Sequence, residues 1–158
     1  MKTILFLISF FIINLSANSQ ALDMVSPEKL LVNNSLNYQT SKSQIISTMG
    51  DPASVTTDYW EMDEEDVEKL TYPGAVFYFK NNTMESFCLT GPEHSLNLNN
   101  TVVKPGNNIL TLQSAFPASY NTRGSDGLTI NIAPGDYKFI LVHFDSGNII
   151  TKIEQRYY

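Results

Sequence analysis

Cysteine is almost missing from this chain: Cys88 is the only one in 158 residues. A single thiol excludes an internal disulfide, so stability must come from burial and hydrogen bonding. Cys88 lies in an apolar, strand-like run, where a thiol packs as a small apolar side chain. Basic side chains are also scarce, with 10 Lys and Arg against 16 Asp and Glu. That balance excludes the basic footprint needed for nucleic acid and the attraction needed for anionic lipid. Histidine occurs twice, at His94 and His143, far apart in sequence. The chain has no HExxH, no GxSxG and no Walker loop, and no acid, base or nucleophile is singled out by its surroundings. The reading is therefore not an enzyme: no catalytic residues, no cofactor. The acidic run EMDEEDVEKL lacks EF-hand spacing and its turn glycine, so no metal is expected there. It reads as a solvated loop or a single helical turn.

Long apolar runs are absent apart from Ile4 to Leu15, which is too short to span a bilayer comfortably. It follows Met1-Lys2 and precedes Ser16-Ala17-Asn18-Ser19, the order of a cleavable export signal. Cleavage is expected after Ser19, leaving a protein in the periplasm or outside the cell. No cysteine stands at the cleavage point, so a lipid anchor by that route is excluded. Three Asn-x-Ser/Thr sites, at Asn33, Asn81 and Asn99, are glycosylation acceptors only in a eukaryotic secretory route.

What is present is a repeated order. Residues 20–37 are weakly patterned, read either as a short helix over Pro27 to Leu31 or as a mobile lead-in. Thr40 or Ser41 then caps a helix whose apolar face is Ile45, Ile46 and Met49, stopped by Gly50 and Pro52. Val55 to Trp60, Tyr72 to Lys80 and Met84 to Thr90 read as strands, the last two joined at Asn81-Asn82. A second series follows: a short helix through Ile109, Leu110 and Leu112, ended by Phe116-Pro117, then strands over Leu128 to Ala133, Tyr137 to Phe144 and Ile149 to Tyr158. At an offset of 65, Pro52-Ala53-Ser54 falls on Pro117-Ala118-Ser119, Tyr72 on Tyr137 and Phe79 on Phe144. The expected fold is α+β, with two tandem units over 38–92 and 93–158, each a short helix packed on an antiparallel sheet.

This unit resembles the small outer-membrane assembly lipoproteins (the SmpA/OmlA group), on the residues Ser41 to Pro52 with Tyr72 to Phe87. Repeated through Val103 to Pro117 and Tyr137 to Ile153, it resembles the β-lactamase inhibitor proteins. The resemblance implies non-enzymatic protein binding through an open sheet face. The paired cysteines of the inhibitors and the anchor cysteine of the lipoproteins have no counterpart here.

Strand alternation supplies a candidate face. With Phe79 and Phe144 toward the helices, Ala75, Phe77, Ile140 and Val142 are core, and the repeat puts Cys88 and Ile153 with them. The outer face then carries Val76, Tyr78, Phe87 and Leu89, with Trp60 beside them. Such a patch is either buried within the chain or offered to a partner. The partner-binding residues expected are Tyr59, Trp60, Tyr78, Phe87 and His143. The function expected is an exported protein-binding module, an inhibitor or immunity-type protein that blocks another envelope or extracellular protein sterically. A structural envelope factor supporting outer-membrane assembly and a carrier of small apolar ligands are the alternatives.

Overall fold

The computed structural model describes residues 21–61, 64–134 and 137–157. The expected export signal and its cleavage site after Ser19 lie outside the described residues. Among the described residues, no helix is long and apolar enough to cross a membrane.

Among the described residues there are eleven strands: β1 (Met24–Val25), β2 (Leu30–Val32), β3 (Ser54–Trp60), β4 (Glu65–Tyr72), β5 (Ala75–Lys80), β6 (Thr83–Leu89), β7 (Leu96–Leu98), β8 (Thr101–Val103), β9 (Gly127–Ile132), β10 (Lys138–Phe144) and β11 (Ile150–Tyr157). The helices are α1 (Lys42–Met49) and α2 (Pro117–Asn121), with 3-10 turns at Pro27–Lys29 and Ile109–Leu112. Eight strands form one sheet, in the order β1-β9-β10-β11-β6-β5-β4-β3; β2, β7 and β8 form a second. Strand makes up 48% of the structure and helix 15%.

The expectation of two tandem α+β units is thus corrected. α1 has 8 residues and α2 has 5, too few to cover a sheet of eight strands. The small sheet supplies the missing apolar layer. One core joins Leu70, Phe77, Phe79, Ile140, Val142 and Ile153 of the large sheet to Leu30, Val32, Leu96, Leu98 and Val103 of the small one. Ile45 of α1 and Ile109 and Leu112 of the second 3-10 turn fill in beside them. The two Pro-Ala-Ser corners also differ. Pro52-Ala53-Ser54 leads from Gly50 into β3, whereas Pro117-Ala118-Ser119 opens α2. Proline suits both places: after Gly50 it cannot continue the helix, and at the start of α2 a first-turn N–H has no partner to lose.

Local chemistry explains the elements that form as expected. Ser41 caps α1 by accepting from the Gln44 amide, and the Gln44 side chain accepts from the Ser41 amide in return. Gly50, at φ 82°, ends the helix. The Tyr72 hydroxyl donates to the Gly50 carbonyl at 3.0 Å and ties that end to the sheet. All three Asn-x-Ser/Thr sites sit at turns: Asn33-Asn34, Asn81-Asn82 and Asn99-Asn100 each have positive φ at both residues. Asn81-Asn82 and Asn99-Asn100 are two-residue hairpin turns, which need two left-handed residues, and asparagine adopts that conformation at low cost.

The acidic run is a second correction. Glu65 to Leu70 belongs to β4, paired with β3 on one side and β5 on the other. Three of its charges are paired with neighbours: Glu65 with Lys80 at 2.7 Å, Glu68 with Lys42 at 2.7 Å and Lys69 with Asp58 at 3.0 Å. Val67 and Leu70 are buried between those charges.

The predicted core face is correct on β5 and β10, where Ala75, Phe77, Phe79, Ile140, Val142 and Phe144 are buried. On β6 it is inverted. Phe87 and Leu89 are in the core and Cys88 is on the outer face. The cause is a register shift. Tyr78 faces Ser86 but Phe79 faces Met84, so Glu85 is an extra residue on β6. One inserted residue moves every later side chain to the opposite face.

Candidate functional site: an aromatic groove at the end of the large sheet

The antiparallel β6–β11 pairing brings the end of β11 beside the Glu85 bulge. An open groove of about 700 Å³ lies at this end of the sheet. β3 and the turn after it contribute Tyr59, Trp60 and Glu61. β5 and β6 contribute Lys80, Glu85 and Ser86. The remaining wall is Tyr137, just before β10, with Gln155, Arg156 and Tyr157 of β11. Tyr59 and Tyr137 are exposed by 60% and 79%, unusual for large aromatic rings.

Trp60 is the centre of an aromatic group. Its ring lies 5.8 Å from that of Tyr78 and 6.0 Å, edge-on, from that of Tyr157. These are favourable separations for ring pairs. Tyr78 is held from the other side by Lys69, whose ammonium lies 5.8 Å from the ring centre. Burial raises the Tyr78 pKa, although Lys69 opposes this, so the hydroxyl stays neutral.

The Glu85 bulge fixes the opposite wall. The Tyr157 hydroxyl donates to the Glu85 carboxylate and also reaches the Glu85 carbonyl at 3.1 Å. Lys138 donates to the same carboxylate at 2.8 Å and lies 5.0 Å from the Tyr157 ring centre. Burial alone would raise the Glu85 pKa; the bonds from Lys138 and Tyr157 outweigh it and lower it. Burial and the bond to Glu85 push the Tyr157 pKa up, which keeps its proton on that bond. Both groove cations are engaged as well: Lys80 with Glu65, and Arg156 with Glu154 at 2.9 Å. The groove therefore combines a packed Trp60–Tyr157 aromatic pair and paired ions with two exposed tyrosine rings.

Of the five expected partner-binding residues, Tyr59 and Trp60 line the groove and Tyr78 supports Trp60. Phe87 does not take part: it is 1% exposed, in the core, because of the bulge. His143 lies along the outer face, where its Nε2 is 2.8 Å from Glu154 Oε1. That same oxygen receives Lys152 at 3.0 Å and Arg156. Burial opposes ionisation of Glu154, yet its bonds to His143 and Lys152 and the neighbouring positive charges hold its pKa below the usual value. His94 is buried, its Nε2 2.9 Å from the Pro73 carbonyl and its Nδ1 3.2 Å from the Asn33 amide nitrogen. It pins the loop before β7 to the turn between β4 and β5. Cys88, beside Glu154, has its pKa raised by burial first and by that charge second, so the thiol stays protonated.

Tyr137 and Tyr157 were missed in the sequence. Their signal was the aromatic residue at each end of the β10–β11 hairpin, since Lys138 pairs with Tyr157 and Tyr137 stands next to Lys138. Among the described residues, no three of His, Cys, Asp and Glu group as metal ligands. In comparison with known proteins, the chain matches no family model, no curated protein and no solved structure.

Proposed function

We propose that this chain is an exported, non-enzymatic binding module that uses the aromatic groove to cover part of another envelope or extracellular protein. Blocking is steric in this reading, as for an inhibitor or immunity-type protein, and no cofactor is involved. The observation that carries it is the exposure of Tyr59 and Tyr137 around a fixed Trp60–Tyr157 pair. Rigid aromatic rings with polar tips supply large contact area at small entropic cost, and such residues dominate protein interfaces. The groove's volume lies within the usual range for small-ligand sites, which favours a carrier as the second reading. Its open form favours a protein surface.

The test is capture of partners from envelope and secreted fractions by wild type and by a Tyr59→Ala/Trp60→Ala/Tyr137→Ala variant. A specific protein retained by wild type and lost by the folded variant supports the reading. A partner retained by both places the binding surface elsewhere. Truncation of a central aromatic anchor should cost about 2 kcal/mol or more, roughly thirtyfold in Kd.

A further inference from the structure

We propose that β3 is a docking edge for an extended, cationic segment of a partner protein. The segment would join the large sheet as an added strand and place a side chain in the groove. This rests on the groove reading and names the partner's chemistry.

Among the described residues, β3 is the last strand of the large sheet and pairs only with β4. Over its seven residues, every second one directs its N–H and C=O away from β4. An edge of this length is a template for another strand unless it is guarded by lysine, proline, a bulge or extreme shortness. The opposite edge, β1, is guarded by having only two residues. β3 has none of these guards. Its single charge, Asp58, is turned to Lys69 of β4. Val55 and Tyr59 are 57% and 60% exposed and share one face of the strand. A segment added here runs past Tyr59 and Trp60 into the groove.

Charge selects the occupant. Glu61, Glu64 and Asp66 are exposed at the groove end of the β3–β4 hairpin. None of the three has an ion pair among the described residues, and the whole chain carries a net charge of −6. A lysine- or arginine-bearing segment is attracted to this end. A second copy is not: antiparallel pairing centred on Thr57 sets the Glu61 end of each copy against the Asp51 end of the other.

The experiment measures fluorescence anisotropy of a labelled ten-residue peptide of alternating lysine and valine with a terminal tryptophan. Its companions are the glutamate version and two versions N-methylated at alternate amides, one for each register. The lysine peptide is expected to bind and to weaken about tenfold or more from low to high salt. The glutamate peptide should not bind. N-methylation should abolish binding in one register and spare it in the other. Thr56→Pro or Thr57→Pro, whichever turns its N–H away from β4, should keep the circular dichroism of wild type and lose binding at least tenfold. If both proline variants unfold, the methylated pair decides.

Equal binding by both methylated peptides, or full binding by a folded proline variant, overturns strand addition. Loss of the peptide by Trp60→Ala in that case leaves the groove reading standing. No binding of the lysine peptide overturns the proposal. A dimer in sedimentation that the same proline disperses would then identify a second copy as the occupant.

Discussion

Gln155 offers the sharpest test of the energetics. It is 4% exposed on β11, in the row that runs through Ile153, and it faces Ile140 across the β10 pairing. Both side-chain atoms, Nε2 and Oε1, are buried without a hydrogen bond. The amide lies close enough to the Tyr157 hydroxyl to act on it as a hydrogen-bond partner that lowers its pKa, but the contact falls short of a full bond, and that hydroxyl already donates to Glu85. An unpaired buried polar group costs about 1–3 kcal/mol, because its bonds to water are lost on folding and not replaced. Gln155→Met keeps the length and the unbranched shape while removing both orphaned atoms. Taking one low-end penalty for each atom, the gain is about 2 kcal/mol. For a chain of this size, that corresponds to a rise in Tm of roughly 4–8 °C. Urea unfolding and thermal circular dichroism measure it directly. A fall in Tm, or no change, would refute the reasoning, since it would mean that the amide is satisfied in the native protein, by an ordered water for instance. A Gln155→Glu control should move the other way, because it places a charge where only an uncharged amide stands.

The other predictions separate core from site and charge from packing. Phe87→Ala should cost about 3–5 kcal/mol, as expected for a fully buried ring, while Tyr59→Ala should change stability by less than about 0.5 kcal/mol. Similar losses from both, measured by urea titration, would contradict the bulged register. Glu85 and Glu154 both have pKa values lowered from 4.5 in the folded state. Their contribution to stability is therefore complete above about pH 4.5 and is lost as pH falls through the folded values. Unfolding in urea between pH 6 and pH 2.5 should show that loss, and it should be smaller in Glu85→Gln, which has no such proton to take up.

The parts of the fold that depend on local chemistry were legible. The Ser41 cap, the Gly50 stop and the Asn81-Asn82 turn follow from backbone rules that act within a few residues. Alternation placed the core face of β5 and β10 for the same reason. What was not legible depends on distant partners. EMDEEDVEKL reads as solvated because no sequence window contains Lys42, Asp58 and Lys80 beside its charges. The strands β2, β7 and β8 have only three residues each, below the length at which periodicity can be read, and they matter because they cover one face of a larger sheet.

Glu85 joins these two kinds of failure and accounts for the site. The repeat, which sets Cys88 on Ile153, places Phe87 on the outer face and makes it a candidate contact, and an unbulged count from the Asn81-Asn82 turn agrees with it. The bulge sends Phe87 inward to Phe77 instead. It also leaves Glu85 without an opposite residue on β5, free to engage Lys138 and Tyr157. Those two bonds hold the β11 end of the groove, against which Trp60 packs. The groove therefore depends on the same insertion that hid it. Bulges commonly re-aim side chains where a sheet ends and a site begins. Deleting Glu85 would restore the alternation and leave Phe87 opposite Phe77, yet it would take away the carboxylate that holds Tyr157 and release the wall on which the aromatic group rests.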